Sequence, residues 1–89
     1  MTVTNNRDLN QFEVLINGGL GFLRYRMDAN TMLLLHVEVP SNSRGQGIAG
    51  ELSRAALDFA RERAYKVVPI CSYLAAYIRR NPEYSALVR

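Results

Sequence analysis

Arg44-Gly45-Gln46-Gly47-Ile48-Ala49-Gly50 is the segment of this 89-residue chain whose residue types point most directly at chemistry. Three glycines in six residues leave room for a ligand to come close to the backbone. Where such a segment opens a helix, the first N–H groups are unpaired and partly positive, a setting for an anion. The first acid of the run is Glu51, and Arg44 precedes the glycines, so the local electrostatics favour phosphate. The helix dipole alone contributes ~0.3–1 kcal/mol, so several N–H groups and Arg44 must act together. No Gly-Lys-Ser/Thr follows, which excludes the phosphate loop of kinases and GTPases. The same residues equally fit a glycine-rich turn that only lets a helix pack closely on a strand. His36 and Glu38 form a second group: two apart on a strand, they share a face, and either could handle a proton. Cys71 precedes an expected helix start, where a thiol ionises more readily. It could line a site, carry an acyl group, or pack as a small apolar side chain.

These residues need strands and helices to hold them. Gln11 to Asn17 alternates, with Phe12, Val14 and Ile16 on one face, and Asn17-Gly18-Gly19 signals a tight turn. Leu20 to Met27 reads as a second strand, and Asp28-Ala29-Asn30-Thr31 as another turn. Met32 to Val39 is the third strand. Strict alternation sets Leu33, Leu35, Val37 and Val39 against Met32, Leu34, His36 and Glu38, with the first set expected under a helix. Pro40 ends the ladder and is expected to splay this strand from its neighbour. Gly47 to about Ala64 is a helix whose apolar face is Ile48, Leu52, Ala55, Ala56 and Phe59, with Arg54 and Asp58 spaced for an i,i+4 contact. Lys66 to Cys71 reads as a short buried strand, and Ser72 as the cap of a last helix over Tyr73–Arg80. The order β-β-β-α-β-α gives a mixed four-stranded α/β sheet in one domain over residues 1–89, with residues 1–10 a loose polar lead-in.

Composition narrows the function. The formal charge is +3, and ten of the eleven bases are Arg, which leans toward an anionic partner. The bases are dispersed, the longest run being Arg79-Arg80, so nucleic acid is not the expected partner. No apolar stretch approaches the ~20 residues of a membrane span, and the polar start does not read as a signal peptide. A single cysteine excludes an internal disulfide and suits a reducing cytoplasm. One His and one Cys exclude a protein-only zinc cage.

Arg44 to Ala49 matches the Arg/Gln-x-x-Gly-x-Gly/Ala motif of the GNAT (Gcn5-related) N-acetyltransferase superfamily. More narrowly, the chain resembles the short single-domain, yhcS-type GNAT-like proteins. The blocks that carry the likeness are His36–Pro40, Arg44–Gly50, Val67–Cys71 and Ala76–Tyr84, in that order. The resemblance implies a GNAT-like fold and acetyl-CoA as cofactor, its pyrophosphate held by Arg44, Gly45, Gln46, Gly47, Ile48, Ala49 and Gly50. It implies that Val37 and Val39 offer backbone groups to the pantetheine arm, and that Tyr77 protonates the leaving CoA thiolate. The implied reaction is acetyl transfer to a primary amine, with Glu38 or His36 as base and Cys71 near the thioester. The chain lacks the early helix pair and the C-terminal hairpin that wall the acceptor site in longer members; a homodimer could supply such walls. The resemblance also admits a CoA-binding protein without turnover, in a sensor or partner-binding role, and Gly19-Leu20-Gly21-Phe22 resembles the carboxylate-binding loop of a PDZ-like peptide-binding module.

Overall fold

Alternating apolar residues and two-residue turns build a five-stranded sheet, which the computed structural model describes over Met1–Arg89. The strands are β1 (Thr4–Asn6), β2 (Gln11–Ile16), β3 (Gly19–Asp28), β4 (Thr31–Glu38) and β5 (Lys66–Pro69), and they lie side by side in that order. β1 to β4 are antiparallel neighbours, and β5 is parallel to β4. Helix α1 (Ile48–Glu62) joins β4 to β5, helix α2 (Ser72–Arg80) follows, and a 3-10 helix (Pro82–Leu87) closes the chain. The sheet thus has one strand more than expected. Thr4–Asn6 is not a loose lead-in but pairs with Gln11–Glu13, and the Asn5 side chain accepts a hydrogen bond from Tyr25 Oη at 2.8 Å.

The turns follow the residue chemistry. Asn17 and Gly18 both have positive φ, 51° and 76°, which lets a two-residue loop match the twist of the strands. Gly19 to Phe22 lies inside β3, paired with Ile16 to Glu13 of β2, so it forms no carboxylate-binding loop and the PDZ-like reading is set aside.

One core unites the elements. Phe12, Val14, Leu23, Tyr25, Met32 and Leu34 from the sheet meet Ile48, Leu52, Ala56, Leu57 and Ala60 of α1, with Leu74 and Ile78 of α2. Each fully buried Leu contributes ~1.5–3 kcal/mol relative to exposure. Leu57 and Ala60 belong to the α1 face although the three-and-four spacing from Ile48 singled out Ala55 and Phe59, which are only partly buried.

The alternation of β4 is broken, which corrects its expected faces. Arg24 pairs with His36 but Tyr25 with Leu34, so Leu35 is the extra residue of a bulge. A bulge shifts the pleat by one residue. Before it, Met32 and Leu34 point to the helices and are fully buried; after it, Val37 does, opposite buried Leu23. Leu33 and Leu35 are therefore not under the helix. His36 and Glu38 do lie on the open face, beside Arg24 and Phe22, but without Met32 and Leu34. On α1, Arg54 pairs with Glu51 at 2.6 Å and Arg61 with Asp58 at 2.8 Å, replacing the expected Arg54–Asp58 contact. α2 begins at Ser72 with Cys71 as its cap residue and no side-chain cap.

Candidate functional site

The groove of the molecule begins where β4 and β5 part. Their pairing runs from Thr31/Lys66 to Leu34/Pro69, and the Cys71 N–H on Leu34 O at 3.0 Å is the last link. The parting thus precedes Pro40, where the sequence placed it. Pro69 explains the shift: it has no N–H, and Ile70 N–H turns back to Val68 O at 3.0 Å, a three-residue reversal that takes the chain off the ladder. The β4 edge beyond Leu34 is left without a strand neighbour on that side, a row of backbone groups open to a ligand.

A 3-10 turn (Ser41–Ser43) leads from β4 into the glycine loop. Its root is fixed by buried Ser43, whose hydroxyl accepts a hydrogen bond from Asn17 Nδ2 at 2.9 Å. Gly45 and Gly47 take φ of 82° and 76°, the left-handed region, and a Cβ at either would meet open space. α1 has no side-chain cap, and Glu51 N–H, on Gly47 O at 3.1 Å, is the first to find a backbone acceptor. The N–H groups of Ile48, Ala49 and Gly50 are thereby left for a ligand. They face a hollow of 270 Å³ lined also by Val39, Arg44, Gly45 and Gly47. Arg44 has no ion pair; its Nε donates only to Val39 O at 3.4 Å. An anion fits this cradle, with N–H donors, positive dipole and a free guanidinium converging. Gln46 is exposed and does not line it.

A second hollow of 370 Å³ adjoins the first and shares Val39, Arg44, Ala49 and Tyr73 with it. His36, Val37 and Glu38 complete its wall. His36 Nε2 and Glu38 Oε2 are 2.8 Å apart with both side chains 55% exposed, so a substrate can reach them from the open face of the sheet. Cys71 is half-buried at the start of α2 and lines neither hollow. Tyr77 lines neither as well. Its ring packs beside Gly50 and stacks on Tyr73 with centroids 6.4 Å apart, and burial raises its hydroxyl above the usual tyrosine range. Tyr73 is the aromatic that reaches both hollows. The sequence motifs do not single it out. The signal that could have found it is its place in the first turn of α2, one helical turn before Tyr77 and nearer the strand end.

Residues 11–87 match the GCN5-related N-acetyl-transferase family. The chain is 39% identical over 83 residues to Protein NATD1 of Xenopus tropicalis and to that of Mus musculus, covering 90% of this chain and 76% of each relative. Against Protein NATD1 of Danio rerio it is 33% identical, over 100% of this chain and 84% of the relative. The fold is shared with a GCN5-like protein from Staphylococcus aureus solved by NMR, with TM-score 0.78 and 24% identity over 99% of this chain and 87% of that one. The splayed parallel strands and the glycine loop between them therefore sit in a fold and a sequence that agree with each other. The chain belongs to the GCN5-related N-acetyltransferase family.

Proposed function

We propose that this chain binds acetyl-CoA in the groove between β4 and β5 and transfers the acetyl group to a primary amine. The observation that carries the reading is the cradle: three unclaimed N–H groups at the start of α1, two left-handed glycines and the unpaired Arg44 around one hollow. That donor set suits the pyrophosphate, and the open β4 edge at Val37 and Val39 suits the amides of the pantetheine arm. Bound acetyl-CoA supplies an activated acetyl thioester. Glu38 Oε2, or His36 through the pair they form, takes the proton of the incoming amine on the open face. Tyr73, whose ring reaches both hollows, is placed to give a proton to the departing sulfur, while Tyr77 supports its ring from behind. Cys71, whose N–H makes the last β4–β5 link, stands at the closed end of the groove. The single free cysteine suits a reducing compartment, and we place the chain in the cytoplasm.

A second reading is a CoA-binding protein without turnover. The exposure of the His36–Glu38 pair favours it, because nothing on the open face walls an acceptor against that pair. The test is a titration of 15N-labelled protein with acetyl-CoA and with CoA, followed by a screen of primary amines. Shifts centred on Gly45 to Gly50, lost in Gly47→Asp, support the cofactor site. Acetylation of an amine that Glu38→Gln slows supports turnover; binding with no acetylated product across the screen selects the second reading. No shift at millimolar ligand removes both.

A further inference from the structure

At the end of α1 opposite the glycine loop lies a separate hollow of 130 Å³. Three stretches far apart in sequence build it. The β1–β2 turn brings Arg7 and Asn10, β3 brings Tyr25, the C-terminal part of α1 brings Phe59 with Arg63 just beyond, and Tyr65 follows. None of these belongs to the cofactor groove. The turn that holds Arg7 is ordered: Asn10 N–H reaches Arg7 O at 3.4 Å, and Asn10 O accepts Tyr25 N–H at 2.9 Å.

Two cations share this hollow and have no counter-charge. Arg7 Cζ lies 5.3 Å and Arg63 Cζ 4.7 Å from the centroid of the Phe59 ring, so the two guanidinium carbons are no more than about 10 Å apart. The ion pairs of the molecule are His36–Glu38, Arg54–Glu51 and Arg61–Asp58, and neither Arg7 nor Arg63 enters one. Arginine side-chain hydrogen bonds come from Arg24, Arg44, Arg54, Arg61 and Arg89, and again from neither of these two. Stacking on a ring occupies a guanidinium's face and leaves its in-plane N–H donors free for two-point contact with a carboxylate. An anion between two like charges also relieves their repulsion. The carbonyl end of α1 competes little, because Tyr65 N–H on Ala60 O at 2.8 Å and Ala64 N–H on Arg61 O at 3.1 Å already occupy its carbonyls.

We propose that this hollow is a binding site for a small carboxylic acid with a flat apolar body. The carboxylate lies on Arg7 and Arg63, and the body lies against Tyr25, Met27 and Tyr65, the apolar lining that carries no guanidinium. The 130 Å³ is close to the ~150 Å³ of a cavity that takes up a benzene ring. Inorganic phosphate would pair with the arginines but leave Tyr25, Met27 and Tyr65 uncovered, so it binds more weakly. The 15 residues of α1 span about 22 Å, so such a ligand does not touch the groove and binds whether or not acetyl-CoA does.

The experiment is an amide-shift titration of the 15N-labelled chain with benzoate, acetate and phosphate at matched ionic strength. The expected result is saturable shifts at Asn10, Arg63 and Tyr65 with benzoate, and weaker binding of both acetate and phosphate. Arg7→Gln and Arg63→Gln should each weaken benzoate about tenfold. Both arginines are exposed, so the variants should keep the wild-type spectrum elsewhere. Shifts that never saturate, that persist unchanged in the double variant, or that phosphate reproduces at equal affinity would overturn the proposal. Acetyl-CoA added to the same samples moves Gly45 to Gly50 instead, so failure of either site is read separately.

Discussion

At the level of single residues, burial and a neighbouring charge decide what each hydroxyl can do. Tyr84 is buried, and its hydroxyl donates to Asp58 Oδ1 at 2.7 Å while the Arg61 guanidinium lies 5.2 Å over its ring. Burial first, and the hydrogen bond to Asp58 second, push its pKa from 10.0 up to about 12. A raised tyrosine pKa means the folded chain holds this proton longer than the unfolded one. The stability it confers is full below pH 10 and lost as pH rises toward 12. Tyr84→Phe should therefore cost about 1 kcal/mol at neutral pH and flatten the alkaline fall, as read by urea unfolding at neutral pH and near pH ~11. In the groove, Tyr73→Phe should lower turnover more than Tyr77→Phe, because only Tyr73 lines the hollows. A steady-state assay of both variants with an acceptor in hand decides it; a larger loss in Tyr77→Phe would return the role to Tyr77.

At the scale of elements, the ends of α1 matter more than its middle. Its C-terminus is a Schellman closure, with Tyr65 N–H on Ala60 O, Ala64 N–H on Arg61 O, and the Tyr65 ring packed edge-on against Phe59 at 6.1 Å. Ala64 holds φ of 57° there without being glycine. Ala64→Gly should raise stability by roughly 1 kcal/mol, visible as a higher melting temperature; no change or a fall would show that the strain is relieved elsewhere. At the N-terminus, Gly47 has φ of 76° and free space where a side chain would stand. Asp tolerates this conformation, so Gly47→Asp should keep the fold and remove CoA binding by setting a negative charge against the pyrophosphate. Calorimetric titration beside a melting curve separates the two effects.

At the scale of the molecule, the sheet is covered on one face only. Leu34, Leu52 and Leu57 are fully buried, whereas Leu15 is 75% exposed. Leu34→Ala should cost about 2–5 kcal/mol, a large share of the ~4–13 kcal/mol expected of a chain this size, and Leu15→Thr no more than about 0.5 kcal/mol. Comparable losses in chemical unfolding would mean that the open face is covered in solution. Much of this organisation was legible from residues alone. The Asn17-Gly18 turn, the β-α-β order and the glycine loop rest on local φ preferences and short-range periodicity, which neighbouring residues decide among themselves. The bulge at Leu35, the pairing of Thr4–Asn6, the parting at Pro69 and the gathering of Tyr73 with His36 and Glu38 were not legible. Each depends on which strand lies alongside and in what register, and a one-residue slip in pairing exchanges the faces of every residue beyond it. The sequence by itself thus determined the elements and the glycine loop. Tertiary pairing alone decided which side chains the groove brings together, because those contacts join segments tens of residues apart.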